Sequence, residues 1–216
     1  QAIADVCARE GLWMHVDGAF GAVAALSDEL RPLVAGMERA DSLAFDLHKW
    51  MHVPIEAACV LVRDPEDHRR PFASSASYLR PLARGVAATD RWLYEYGPQL
   101  TRGFRALKAW LLLRHHGTGK IGRLAAQNVR QTRELEALLR AEPGVEVLAS
   151  GSLCVLCFRW RPRGLDAAAL DRLNEELLAR LQRGGDDRLE ECVLDDEPAA
   201  RLDPLLRRPV VVVLGP

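Results

Sequence analysis

Short apolar segments that alternate with helical stretches constrain the fold of this chain more than any other feature. Three segments have the length and composition of buried strands, namely residues 12–16, 41–47 and 57–62. Residues 1–10 and 26–39 carry apolar side chains at helical spacing around the first of them. This alternation predicts a βαβ layout, and therefore an α/β fold with a mostly parallel sheet.

The second half of the chain has a different pattern. It contains two predicted helices, two predicted strands and a further amphipathic helix, at residues 100–116, 121–140, 145–148, 153–160 and 166–183. A glycine-containing turn at Gly117-Thr118-Gly119 separates the first two helices. We place a domain boundary at this turn. The prediction is a first domain over 1–117 and a small α+β C-terminal domain over 118–216.

Composition excludes several classes of partner. The 29 basic and 30 acidic residues give a net charge of −1, so the sequence has no electrostatic signature of a protein that binds nucleic acid or an anionic membrane. No apolar run has the length of a membrane span. The 5 cysteines are scattered and odd in number, which predicts free thiols and a cytoplasmic protein. Cys154 and Cys157 lie in a predicted strand and face opposite sides, so we expect no metal site.

Asp17 is the first candidate functional residue, because it follows a short apolar strand directly. Ligands of open α/β sheets bind at the carboxyl ends of the strands. Residues i and i+2 of an extended segment face the same way, so the side chains of Asp17 and Ala19 would contact the same ligand. The alternative is that Asp17 only caps the next helix.

Lys49 is the second candidate, because it also follows an apolar strand and stands between His48 and Trp50. Lysine is rarely buried without a reason, and a desolvated amine can attack an aldehyde. The alternative is an exposed turn lysine whose aliphatic stem lies on Trp50.

Together, the two strand ends match the needs of one cofactor. Asp17 and Lys49 are separated by about one crossover of chain, so neighbouring strands would bring both to the same edge of the sheet. Pyridoxal 5'-phosphate (PLP) requires a lysine for its aldehyde carbon and an acid for its ring nitrogen. We therefore predict a PLP site here.

Three motifs also carry a family resemblance. They are His15-Val16-Asp17-Gly18-Ala19-Phe20-Gly21, then Ala40-Asp41-Ser42 with Asp46-Leu47-His48-Lys49-Trp50, and Gln99-Leu100-Thr101-Arg102-Gly103-Phe104-Arg105-Ala106-Leu107-Lys108-Ala109-Trp110. In this order and at these intervals they resemble the group II PLP-dependent amino-acid decarboxylases, which include the aromatic-L-amino-acid, histidine and glutamate decarboxylases. The resemblance runs from residue 1 to about residue 140. It implies part of a fold-type-I large domain, followed by the small C-terminal domain.

The resemblance implies roles for individual residues. Lys49 would be the Schiff-base lysine, and Asp17 the partner of the pyridine nitrogen. Ala19 would pack under the ring, and His48 would sit beside the cofactor. Asp46 would stand at a phosphate-side position.

Residues 71–98 would correspond to the mobile catalytic loop of the family. In the animal enzymes a tyrosine of this loop donates a proton, and Tyr94 and Tyr96 are the candidates here. The alternative is that both tyrosines only pack the loop onto its neighbours.

The expected activity is decarboxylation of an aromatic or related L-amino acid to the amine and carbon dioxide by a homodimer. The large domain of the family begins before the position of Gln1 and carries the phosphate loop, so we expect a C-terminal half that is inactive alone. Two alternatives stay open. One is a different fold-type-I PLP lyase, including an aldehyde-forming decarboxylase. The other is a catalytically incomplete half that serves as a dimerisation or folding module.

Overall fold

The strands of the first sheet lie side by side in the order in which they occur in the sequence. The structure is a computed structural model that describes residues 1–73, 84–85, 92–184 and 210–213. The sheet contains β1 (His15–Asp17), β2 (Ser42–Asp46) and β3 (Ala58–Val62) in the order β1-β2-β3. β1 and β2 are parallel, with Asp17 opposite Ala44. β2 and β3 are antiparallel, with Asp46 opposite Ala58.

The antiparallel pairing of β2 with β3 corrects the expectation of a mostly parallel sheet. Residues 47–57 connect the two strands through turns and irregular backbone, with no helix. A parallel pair needs a crossover of about a dozen residues or more, and the crossover is usually helical. The shorter connection turns the chain back on itself. The architecture is therefore mixed α/β, with one parallel and one antiparallel pair in this sheet.

Short helical segments surround the first sheet. Helix α1 (Ala2–Glu10) ends at Gly11, which adopts the left-handed conformation with φ 62°. The segment predicted as one or two helices over 26–39 forms short 3-10 helices at Arg31–Val34 and Met37–Arg39. A third 3-10 helix covers Gly21–Leu26. Pro32 and Gly36 interrupt this region, and a continuous α-helix does not form.

Two further helical elements follow β3. Helix α2 (Pro65–Arg69) begins after Asp64, whose carboxylate accepts a hydrogen bond from the Glu66 N–H at 2.7 Å. A 3-10 helix covers Leu93–Tyr96. The long helix α3 (Ala106–Ala141) breaks at Gly117, where φ is 74° and ψ is 155°. The prediction of two helices on either side of this glycine is therefore confirmed.

Helix α3 approaches the chain that follows β1 very closely. A Cβ atom at Gly122 would lie 2.2 Å from the Leu26 carbonyl oxygen and 2.7 Å from its carbon. Only glycine permits this approach of the two backbones without a shift.

The second sheet is antiparallel throughout. It contains β4 (Val145–Ser150), β5 (Val155–Trp160) and β6 (Val210–Val213) in the order β4-β5-β6, and helix α4 (Ala167–Gly184) accompanies it. Its core is formed by Leu139, Leu156, Phe158 and Leu177, all buried. Buried Asn174 accepts a hydrogen bond from the Trp160 N–H at 2.7 Å and donates to the Trp160 carbonyl at 2.9 Å.

The chain divides into two compact units, Gln1–Ala125 and Ala126–Pro216, and the division falls inside α3. The domain boundary between residues 117 and 118 stays a prediction. Within the part of the chain that the structure describes, no helix is long and apolar enough to cross a membrane.

Candidate active site

The carboxyl ends of β1 and β2 are joined by main-chain hydrogen bonds that continue beyond the strands. The Gly18 N–H donates to the Ala44 carbonyl at 2.8 Å, and the Asp46 N–H donates to the Ala19 carbonyl at 3.1 Å. A Cβ atom at Gly18 would lie 2.8 Å from the Ala22 Cβ and 2.9 Å from the Leu43 Cδ1. Gly18 is therefore closely packed against its neighbours, and the ends of β1 and β2 are fixed relative to each other.

Asp17 is exposed at the end of β1. Its Oδ1 accepts a hydrogen bond from the Ala19 N–H at 3.0 Å, which fixes the carboxylate above the turn that follows the strand. The 3-10 helix at Gly21–Leu26 has Phe20 at its N-cap and no side-chain cap. The alternative that Asp17 caps the next helix is therefore wrong, and its carboxylate belongs to the edge of the sheet.

Lys49 lies in the turn after β2 and forms an ion pair that the sequence analysis did not foresee. Its Nζ is 2.6 Å from Oδ2 of Asp46, three residues earlier. The side chain of Lys49 is 47% exposed and that of Asp46 is 22% exposed. The hydrogen bond from Lys49 holds the pKa of the Asp46 carboxyl below its usual value. The spacing of three residues across a turn was the signal in the sequence that would have predicted this pair.

An aromatic stack links the two candidate segments. The rings of Phe20 and Trp50 are 4.6 Å apart between centroids and only 8° from parallel. Trp50 is buried and packs on Phe20, whereas Lys49 is exposed in the turn. The exposed-turn alternative for Lys49 therefore agrees with the structure, and the expectation of a desolvated lysine does not. Phe20 follows Asp17 by three residues, and Trp50 follows Lys49 directly. An aromatic residue close behind each candidate was the sequence signal for this contact.

His48 is anchored to the main chain of the β2–β3 connection. The ring Nδ1 of His48 lies 2.6 Å from the carbonyl oxygen of buried Ala57. The backbone N–H of His48 donates a hydrogen bond to the same oxygen at 3.1 Å. Nε2 of the ring makes no hydrogen bond with any residue that the structure describes. The ring is thereby oriented, with one nitrogen available to a ligand.

Tyr94 and Tyr96 lie in the 3-10 helix at Leu93–Tyr96, near the end of the predicted loop. The Tyr96 ring meets His68 edge-on at 5.4 Å, and the Tyr94 ring lies 6.1 Å from Trp92. Most of the predicted loop, residues 74–83 and 86–91, lies outside the described residues.

An ion pair reinforces the packing of Tyr96. The carboxylate of buried Glu95 lies 3.5 Å from Arg69 of α2. Tyr96 therefore belongs to a cluster with α2, whereas Asp17, Ala19, Asp46, His48 and Lys49 belong to the connected ends of β1 and β2.

Comparisons with known proteins agree with this geometry. The model of the "Pyridoxal-dependent decarboxylase conserved domain" matches residues 1–161. The chain belongs to the pyridoxal-dependent decarboxylase family. It is 30% identical over 201 residues to an aromatic-L-amino-acid decarboxylase of Bacillus atrophaeus, covering 93% of this chain and 42% of that protein. It is 29% identical over 195 residues to a phenylacetaldehyde synthase of a Rosa hybrid cultivar, covering 86% of this chain and 38% of that protein.

Solved structures of this family have the same fold. The structure of Oryza sativa TDC with PLP and tryptamine superimposes with a TM-score of 0.71 and 31% identity, over 85% of this chain and 38% of that one. The chain thus spans about two fifths of the length of the relatives that it matches.

The side chains at the edge of the first sheet fit the pyridoxal group of this decarboxylase family. An aldehyde needs an amine that it can reach, and the Lys49 side chain is about half exposed. A protonated ring nitrogen needs a carboxylate, and Asp17 presents one whose orientation is set by the Ala19 N–H. Ala19 is small and half-buried, two residues after Asp17. The donor set therefore matches the reactive end and the ring nitrogen of the cofactor.

Proposed function

We propose that this protein is a PLP-dependent carboxy-lyase that decarboxylates an aromatic or related L-amino acid to its amine and carbon dioxide. The observation that carries the proposal is the amine of Lys49 and the carboxylate of Asp17 on the joined ends of β1 and β2, in a chain that matches the decarboxylase family over residues 1–161. The aromatic substrate is supported by relatives named for aromatic amino acids.

Each candidate residue has a task in this reaction. PLP supplies an aldehyde that joins the substrate amine and a ring that accepts electrons when the carboxylate leaves. Lys49 would hold the cofactor at its aldehyde carbon. Asp17 would keep a proton on the ring nitrogen. The protonated ring would stabilise the negative charge that develops in the transition state, and only such stabilisation raises the rate. Ala19 would pack against one face of the ring.

We also propose that His48 contacts the cofactor through Nε2, because its Nδ1 is engaged by Ala57. A loop tyrosine, Tyr94 or Tyr96, would return a proton to the substrate carbon. Both rings have packing partners, Tyr96 on His68 and Tyr94 on Trp92, so the two tyrosines stay equal candidates.

The proposal extends to organisation and location. Residues 1–117 would complete the cofactor-binding large domain, and residues 118–216 would form the small C-terminal domain. The family resemblance implies association into a homodimer, and we propose the same for this protein. Cys7, Cys59, Cys154 and Cys157 are free thiols, as expected in the cytoplasm.

Borohydride trapping tests the proposal. The purified protein is incubated with PLP, reduced with borohydride and digested, and the modified lysine is identified by mass spectrometry. The expected result is a pyridoxyl group on Lys49 and its complete loss in Lys49→Ala, with Lys108→Ala and Lys120→Ala labelled as the wild type. A label on Lys108 or Lys120 would contradict the assignment. No label at all would favour a module without cofactor chemistry.

A second reaction is favoured by one comparison. The chain resembles a phenylacetaldehyde synthase at nearly the same identity as an aromatic-L-amino-acid decarboxylase. An aldehyde-forming decarboxylase is therefore the second candidate. Product analysis with tryptophan, tyrosine, phenylalanine and histidine distinguishes the two, because one yields amines and the other yields aldehydes.

A further inference from the structure

We propose that Asp46 is a positioning residue that holds the amine of Lys49 until an aldehyde displaces it, and that it does not serve the phosphate of the cofactor. This inference rests on the proposed function, because it takes Lys49 as the residue that binds PLP. The contact that carries it joins Oδ2 of Asp46 and Nζ of Lys49 at 2.6 Å.

The backbone of Asp46 is held in place by the sheet, unlike the backbone of a residue that forms an ion pair in an exposed loop. Asp46 is the last residue of β2, it faces Ala58 across the sheet, and its N–H donates to the Ala19 carbonyl at 3.1 Å. Its side chain is 22% exposed, against 47% for Lys49. Strand β2 therefore fixes the position of the Asp46 carboxylate, and the longer side chain of Lys49 extends to reach it.

The charge of Asp46 suits an ammonium group better than a phosphate. The hydrogen bond from Lys49 lowers the pKa of the carboxyl, so Asp46 is negatively charged at neutral pH. A carboxylate without a proton is only an acceptor and would repel a phosphate dianion. Its charge is instead compensated by Lys49.

The neighbouring carboxylates have other contacts. Glu56 on the β2–β3 connection forms an ion pair with Arg105 at 2.7 Å. Asp17 at the end of β1 accepts a hydrogen bond from the Ala19 N–H. Within the described ranges, Asp46 is thus the carboxylate that holds Lys49.

Capture of an aldehyde requires that this pair break. The ammonium of Lys49 first releases one proton to solvent. The neutral amine then forms a carbon–nitrogen double bond with the aldehyde carbon, and the aldehyde oxygen leaves as water with the two amine hydrogens. Borohydride traps the product by delivering hydride to that carbon, while solvent supplies a proton to the nitrogen. Because a half-exposed ion pair is modest in strength, its removal should accelerate capture only a few-fold.

The experiment compares two aldehydes that differ only in the phosphate. Rates of borohydride-trapped labelling at Lys49 are measured with PLP and with pyridoxal, in the wild type, Asp46→Asn and Asp46→Glu. We expect Asp46→Asn to raise the rate about threefold with both aldehydes, because the effect passes through Lys49. Asp46→Glu keeps the charge and should stay near the wild type. The matched control is Asp28→Asn, which breaks the Asp28–Arg31 ion pair of the same three-residue spacing and should change neither rate.

The outcomes separate this inference from the proposed function. A change with PLP alone would assign Asp46 to the phosphate side and overturn the inference. Equal rates in the wild type and Asp46→Asn, with Lys49 still labelled, would also overturn it while leaving the proposed function intact. Absence of label at Lys49 in every variant would overturn both.

Discussion

Strands β3 and β5 are both rich in apolar residues but have very different surroundings. Val60 and Leu61 are adjacent in β3 and point to opposite faces, yet each is 53% exposed. Leu156 and Phe158 of β5 are 0% and 1% exposed. Neither face of β3 is fully covered by described residues, whereas β5 lies in a packed core with Leu139 and Leu177.

Both units bury apolar side chains, but they differ in what surrounds these two strands. In the second unit, buried apolar side chains surround β5, and the Asn174 side chain forms hydrogen bonds with both the N–H and the carbonyl of Trp160. The first unit carries the candidate site at its sheet edge, and main-chain hydrogen bonds and the Phe20–Trp50 stack hold that edge. Substitutions at the site should therefore act on the reaction, and substitutions in β5 should act on folding.

Asp17→Asn tests the functional side of this comparison and has the largest expected effect. The amide oxygen can still accept the Ala19 N–H, while the negative charge is lost. In the complete enzyme, we expect kcat to fall by about 100- to 1,000-fold. Borohydride labelling at Lys49 should persist, and the free energy of unfolding should change by less than about 0.5 kcal/mol. Retention of normal turnover would show that Asp17 is not the partner of the ring nitrogen.

The paired variants Leu156→Ala and Val60→Ala test the stability side. Leu156→Ala removes a fully buried side chain and should lower the free energy of unfolding by about 2–5 kcal/mol. Val60→Ala removes a half-exposed side chain and should cost less than about 0.5 kcal/mol. Urea denaturation followed by circular dichroism measures both. Equal losses for the two variants would mean that β3 is as well packed as β5.

Sequence patterns predicted the positions of two strands in the first sheet better than they predicted the direction of the third. Apolar runs placed β2 and β3 within one residue at each end, because both strands are bounded by polar or turn residues. The antiparallel direction of β3 does not follow from the apolar runs, because it depends on residues 47–57 being too short for a helical crossover.

Contacts between side chains need more than apolar periodicity to predict. The shared edge of Asp17 and Lys49 stays a prediction, and the main-chain hydrogen bonds that join the ends of β1 and β2 support it. The pairing of Asp46 with Lys49 depends on the turn that follows β2, and the stacking of Phe20 on Trp50 depends on the strand register. Neither follows from apolar periodicity alone.

Gly122→Ala tests the close approach of α3 to the chain after β1. The new Cβ would lie 2.2 Å from the Leu26 carbonyl oxygen, so the backbone must move, at a cost of about 1–3 kcal/mol. Gly119→Ala in the same helix is the matched control, because its nearest neighbour is the flexible end of Arg123 at 3.5 Å. The control should gain about 0.5–1 kcal/mol from helix propensity. Thermal unfolding that shifts the same way in both variants would contradict a specific contact at Gly122.

The smallest expected effect concerns a pair of charges on the second sheet. Glu146 of β4 and Arg159 of β5 lie directly opposite each other, with Oε2 2.6 Å from the guanidinium. The hydrogen bond from Arg159 holds the pKa of the Glu146 carboxyl below its usual value. A carboxyl whose pKa is lower in the folded state stabilises the fold at pH values above its unfolded pKa. This stabilisation disappears as the pH falls through the folded pKa.

Arg159→Met should therefore lower the free energy of unfolding at pH 7 by about 0.5 kcal/mol, because Glu146 is more than one third exposed and solvent screens the pair. The difference from the wild type should shrink as the pH falls below the usual pKa of glutamate, where the carboxyl of the variant is already protonated. Urea denaturation at a series of pH values measures this. A loss as large as that of Leu156→Ala would mean that charge pairing, and not the apolar core, stabilises the second sheet. A loss independent of pH would mean that the Arg159 side chain acts through packing alone.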